Sequence, residues 1–294
     1  MRVGLLPVDS LIPNLALMRL SAWHKAQGDE VEIAFPLAAD TYGRVYRSKQ
    51  FDYTVDDMVP WPCEVVSGGT GYDLTTLLTP EQDTIYPDYP ILSCDHALGR
   101  LTRGCIRRCP WCVVWRQDGK VRQVAELEDF WRGQDRIRLL DDNLTALPDL
   151  FIKTCAEISA RKAQVKFESL DIRLMDEDMA RALAGVRRWM QESGCTRGAV
   201  HFAWDTPADE PAVRRGIEAL KAGGFPIWAA TFYVLIGFNT TPEEDLHRAM
   251  VLKSLGADPF VMPFDKTDPY QRRFARYVNH KAIFKTVAWE EYDR

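Results

Sequence analysis

Cys105, Cys109 and Cys112 fall within Gly-Cys-Ile-Arg-Arg-Cys-Pro-Trp-Cys, a C-x3-C-x2-C spacing. Three thiolates this close in one loop can converge on one face of an iron–sulfur cube. Four would saturate a four-iron cluster, whereas three leave one iron open to another ligand. Structural zinc competes for the same residues, because it takes sulfur and imidazole in closed sets of four. Against zinc, His96 is the only histidine near the triplet, and no second cysteine pair follows at zinc-ribbon spacing. The other four of the seven cysteines, Cys63, Cys94, Cys155 and Cys195, show no grouped spacing, so a second cluster is not expected. The opening MRVGLLPVDS has too short an apolar run for a secretory signal, and a proline interrupts it. A reducing cytoplasm is therefore expected, where clustered cysteines serve metals or catalysis more than disulfides.

The elements that would position such a loop read as alternating strands and helices. Composition allows them: 294 residues, 46% hydrophobic and 27% charged, suffice for a core without disulfide staples. Residues 1–97 read as a small open α/β (Rossmann-like) unit with a linker. VGLL and VEIAF are strands, a helix runs from Pro13 to Gln27, and CEVV leads into the glycine turn SGGTGY. Three prolines between Thr79 and His96 mark a linker or wrapping loop. From residue 98 to 294 the candidate strands are GRLTRG, IRLLD, VKFESL, AVHFAW, IWAATFYVLIG and PFVMPF. Helices are expected over Pro148–Ala163, Asp176–Glu192, Glu210–Ala222 and Pro242–Leu255. This repeat predicts an α/β fold, a partial (β/α)6 TIM-like barrel with a short C-terminal tail, preceded by the open unit. No stretch approaches the roughly 18 apolar residues of a membrane span.

C-x3-C-x-aromatic-C after a first barrel strand resembles the radical S-adenosylmethionine (radical SAM) superfamily, with Trp111 as the aromatic residue. Later segments resemble the same superfamily in order: LLDDN (139–143), KFESLDIRLMDEDMARAL (166–183), HFAWDTP (201–207), AGGFPIWAATFYVLIGFNTTPEED (222–245) and GADPFVMPF (256–264). The fourth of these resembles methylthiotransferase-type members. The resemblance implies an enzyme that reductively cleaves SAM at a [4Fe–4S] cluster. The 5′-deoxyadenosyl radical so formed would abstract hydrogen from a substrate, with nucleotide, nucleic-acid or peptide modification as candidates. Cys105, Cys109 and Cys112 would be the ligands and Trp111 would shield the cluster. Asp141, Asp142 and Asn143 would accept from the methionine ammonium, unless they serve as caps or turn residues. Arg173 would fork onto the methionine carboxylate, and Glu168 or Asp171 would take the ribose hydroxyls. Asp205 stands where the family's strand carries Glu, and an acid buried there needs a polar role. Ile236, Gly237 and Phe238 would form the adenine wall, against the plainer reading of a strand-to-loop turn. His201 and Tyr233 could face substrate, although core packing is their commoner fate.

Two features fall outside that scheme. The net charge of -5 argues against a chain built to coat nucleic acid, yet Arg100, Arg103, Arg107, Arg108, Arg116, Lys120 and Arg122 are opposed only by Asp118. Such a run is commonly a solvated face. It could also steer an acidic flavodoxin- or ferredoxin-type electron donor, or a phosphorylated substrate such as a nucleotide or nucleic acid. The first unit is similar to the cobalamin-binding domains joined to many radical SAM enzymes, but the D-x-H-x-x-G signature is absent and His24 lacks the preceding acid. A degenerate domain without cobalamin is expected. The reading from another class is a non-catalytic, zinc-stabilised nucleic-acid-binding module whose arginines contact phosphates.

Overall fold

Alternating and apolar runs become parallel strands, and the periodic stretches between them become helices. The computed structural model describes residues 1–10, 12–56, 58–189 and 200–292. The chain is mixed α/β, divided into two compact units, Met1–Arg138 and Leu139–Arg294. The first unit thus holds both the expected open α/β region and the cysteine loop.

In the first unit, β1 (Arg2–Pro7), α1 (Leu15–Ala26), β2 (Glu30–Ile33), β3 (Arg44–Ser48) and β4 (Glu64–Gly68) form a parallel sheet in the order β2-β1-β3-β4. Its core is Val3, Leu5, Leu17, Leu20, Val31 and Tyr46, where alternate strand residues meet one stripe of α1. The Asn14 side chain accepts from Leu17 N at 3.1 Å and starts the helix. Strand β3 was not anticipated, because RVYRS carries two arginines. The arginines are matched across the sheet: Arg44 Nε donates to Glu64 at 3.0 Å and Arg47 Nε to Ser67 Oγ at 2.7 Å. His24 is buried, with Nδ1 2.6 Å from Asp29 and Nε2 3.1 Å from the Tyr46 hydroxyl. The SGGTGY glycines serve close packing. A Cβ on Gly69, at φ +96°, would stand 2.4 Å from the Lys49 carbonyl oxygen.

The same unit continues through α2 (Pro80–Thr84) and β5 (Ala97–Gly99). The hairpin of β6 (Thr102–Arg103) with β7 (Arg122–Gln123) follows, with α3 (Val114–Gln117) between its strands. The expected single strand GRLTRG is thus two short pieces. β8 (Arg136–Leu139) leads into the second unit.

The second unit holds α4 (Pro148–Ala160), β9 (Gln164–Leu170), α5 (Glu177–Gly185), β10 (Arg187–Arg188), β11 (Val200–Ala203), α6 (Glu210–Ala222), β12 (Ala230–Ile236), α7 (Pro242–Ser254), β13 (Asp258–Pro263), α8 (Pro269–Asn279) and α9 (Lys281–Thr286). Its strands are parallel in the order β13-β12-β11-β9, with β10 also paired to the start of β9 at Gln164 and Val165. One face packs apolar rings, with Phe151 of α4 against Phe167 and Phe202 against Phe232. α5 stops at Gly185, short of the expected Glu192; residues 190–192 and Cys195 lie outside the described residues. Among the described residues no helix is long and apolar enough to cross a membrane.

Candidate cluster loop and strand-end groups

The cysteine loop is opened by a glycine that the backbone requires. Gly104 has φ +82°, and a Cβ there would lie 2.5 Å from the Lys120 carbonyl oxygen, so the outgoing and returning chains touch at this point. Cys105 N donates to Gly119 O at 3.1 Å and closes the neck. Arg103, just before the glycine, donates to Asp83 at 2.7 Å and to Asp118 at 3.2 Å, joining both ends of the loop to α2. Arg19 of α1 pairs with the same Asp83. Inside the loop, Cys112 N and Trp115 Nε1 both donate to Cys109 O at 3.0 Å. Arg107 N donates to Cys105 Sγ at 3.3 Å.

Cys105, Cys109, Cys112 and Trp111 are all half-buried. Among the described residues no group of three His, Cys, Asp or Glu side chains is gathered closely enough to hold an ion, the cysteine triplet included. The donor chemistry nevertheless suits an iron–sulfur cluster: the loop from Gly104 to Val113 offers three sulfurs and no imidazole or carboxylate. His96 is buried with Nδ1 3.0 Å from Asp95. The basic run is partly structural. Arg103 is held as above, Arg116 donates to Pro110 O at 3.0 Å and Arg122 to Asp118 O at 2.6 Å. Arg108 and Lys120 are exposed.

In the second unit, strand ends gather several of the expected polar groups. After β8, Asp141 and Asn143 are buried and Asp142 half-buried. Thr145 Oγ1 donates to Asn143 Oδ1 at 2.7 Å and accepts from Asp171 N at 2.9 Å, which links the ends of β8 and β9. Ser169 Oγ adds a 3.1 Å bond to Asp142 O. Asp171 receives Arg173 as a fork, from Nε at 2.6 Å and from the second amino group at 3.0 Å, while the remaining amino group donates to Asp209 at 2.7 Å. Burial opposes the Arg173 charge, but the two carboxylates outweigh it and hold its pKa above the ordinary value. The guanidinium expected to face a methionine carboxylate therefore faces protein carboxylates. At the end of β11, Asp205 Oδ1 accepts from Leu235 N at 3.1 Å. Burial raises its pKa, opposed by that N–H and by the charges of Arg248 and Arg173.

The end of β12 is a turn. Ile236 is fully buried, Gly237 has φ +77° and Phe238 meets Phe264 edge-on at 4.9 Å. A Cβ on Gly237 would lie 2.1 Å from Gln271 Nε2, so the glycine makes room for that side chain. Glu168 stands apart from the strand-end groups, at the fifth position of β9. It lies 3.5 Å from Lys166 Nζ and 3.3 Å from His201 Nδ1.

Sequence reasoning missed Arg248. Both it and Asp245 are fully buried and paired at 2.6 Å. Arg248 also donates to the carbonyls of Trp204 at 3.0 Å, Asp205 at 2.8 Å and Leu235 at 2.9 Å, bracing the ends of β11 and β12. The available signal was an Asp–Arg pair at i, i+3, in register with Ala249 and Leu252 on the buried stripe of α7. No family model matches the chain, and no curated protein matches it.

Proposed function

We propose that the protein is a radical SAM enzyme in which Cys105, Cys109 and Cys112 hold a [4Fe–4S] cluster. The carrying observation is the loop itself: three sulfurs at C-x3-C-x2-C spacing, behind a glycine that draws its two ends together, with a backbone N–H already directed at one sulfur. Held by Cys105, Cys109 and Cys112, the cluster would supply the electron for reductive cleavage of SAM and so the means of hydrogen abstraction from a substrate.

The chain's own residues have the remaining work. Arg103, Asp83 and Asp118 fix the loop's neck, and the three sulfurs are drawn together on loading. The parallel strands of the second unit support a partial barrel, the architecture in which groups from several strands converge at carboxyl ends. Asp141, Asp142 and Asn143 offer acceptors for the methionine ammonium. Ile236 and Phe238 offer apolar surface for adenine, and Asp205, whose pKa burial raises, offers a carboxyl group at the end of β11. Asp171 and Arg173 are assigned to bracing the end of β9, because each is the other's partner. Exposed Arg108 and Lys120 suit an acidic flavodoxin- or ferredoxin-type donor. Nucleotide, nucleic-acid or peptide modification remains the proposed substrate range.

The test is to incubate anaerobically reconstituted, chemically reduced protein with SAM. Release of 5′-deoxyadenosine, lost in Cys105→Ala, is the expected result. No release from protein that carries its full cluster would refute the reading.

A further inference from the structure

The second unit buries polar side chains for which its strand-end groups do not account. Lys166, His201 and Thr231 are 6%, 1% and 3% exposed. They lie on the sheet face opposite the helices: Phe167, Phe202 and Phe232 share the face that packs on α4, so alternate residues point the other way. His201 and Thr231 are direct register partners in β11 and β12. The Glu168 carboxylate lies 3.3 Å from His201 Nδ1 and 3.5 Å from Lys166 Nζ. The Tyr233 ring stacks on His201 with centroids 5.2 Å apart.

Three atoms of this group, His201 Nδ1, His201 Nε2 and Thr231 Oγ1, have no hydrogen-bond partner among the described residues, and of these only Nδ1 has a carboxylate beside it, Glu168 at 3.3 Å. A buried polar group left without a partner is costly, so Nε2 and Oγ1, on directly paired residues, call for an occupant. The negative charge of Glu168 beside Nδ1 favours the tautomer protonated there and leaves Nε2 an acceptor. Thr231 can donate. A hydroxyl is the simplest group that donates to the first and accepts from the second. An added charge gains little, because Lys166 and Glu168 already oppose one another.

We propose that Glu168, His201, Thr231 and Tyr233, with Lys166 behind them, form a binding site for a hydroxyl-bearing small molecule of the sugar or polyol class. The hydroxyl sits between His201 Nε2 and Thr231 Oγ1, against the Tyr233 ring. The site is separate from the strand-end groups. Thr231 is the second residue of β12, and strand rise puts Ile236 about 17 Å further along. The inference stands on the second unit alone and needs no cluster.

The experiment is NMR of the full chain labelled with nitrogen-15 at its five histidines, titrated with D-ribose and glycerol. The His201 signals are assigned from His201→Gln. Saturable movement of His201 Nε2 alone is expected, with affinity falling about 5- to 10-fold in Thr231→Val, as for one lost hydrogen bond. Retention in Thr231→Ser is also expected. Thr231→Val keeps the side-chain shape, and its circular dichroism checks that it folds. Cys105→Ala should bind unchanged, so loss of the cluster reading and loss of this site are told apart. A His201 signal that neither probe moves would mean that water alone fills the space and would overturn the proposal. So would a shift that survives intact in Thr231→Val, or one produced equally by acetate.

Discussion

Replacing Arg248 with methionine keeps an unbranched stem in the same space and removes the guanidinium. The guanidinium and its partner Asp245 are both fully buried. Breaking a buried pair by removing one member costs roughly 3–5 kcal/mol, because the other charge stays behind. Two features set where in that range the loss falls. Asp245 keeps the Thr240 hydroxyl at 2.7 Å and the Tyr270 hydroxyl at 3.2 Å, which lessens the penalty. The carbonyls of Trp204, Asp205 and Leu235 all lose their donor, which restores it. The expected loss is therefore about 4 kcal/mol, near the middle of that range. At about 2–4 °C per kcal/mol for a unit of this size, Tm should fall by roughly 8–16 °C. Urea unfolding at constant m gives the free energy directly. Asp245→Asn and the double variant complete a cycle, and the double variant should lose clearly less than the sum of the singles. A loss below about 1 kcal/mol, or strict additivity, would refute the assignment of Arg248 as the brace of these strand ends.

Three further outcomes follow from the same geometry. Asp205 has its pKa raised by burial, so its stability contribution is fully present below the ordinary value of 3.8 and is lost as pH rises through the folded value. Asp205→Asn should therefore be more stable than the parent at pH 7, with the difference vanishing below about pH 3.8 in melts across that range. Gly237→Ala meets both a positive φ and the Gln271 amide, and should cost about 1–3 kcal/mol by urea unfolding. Asp83→Asn removes the carboxylate shared by Arg19 and Arg103; hydrogen exchange over residues 104–120 should speed up while the sheet of β1–β4 keeps its protection.

The fold was legible where burial imposes a simple period. The helix Glu210–Ala222 and the strands around Phe167, Phe202 and Phe232 match the apolar pattern because one face of each is buried. β3 was hidden because Arg44 and Arg47 have cross-strand partners, which no local pattern reveals. The end of α5 at Gly185 was read too late, since the residues after it keep helical spacing. Within the candidate site, the cysteine loop was legible from spacing alone, and its glycine gained a reason only in three dimensions. Arg173 shows the opposite limit. Its position at a strand end was read correctly, but its fork onto Asp171, two residues away, and its contact with Asp209, far along the chain, depend on the folded loop.

The central claim, that Cys105, Cys109 and Cys112 hold a cluster with one open iron, is tested most directly by anaerobic reconstitution with iron and sulfide. Metal and sulfide analysis and electron paramagnetic resonance of the reduced protein are the readouts. The account predicts about four irons and four sulfides per chain, a reduced-cluster signal that changes when SAM is added, and loss of both in Cys105→Ala. A colourless protein that retains one zinc per chain, without sulfide and indifferent to SAM, would contradict it.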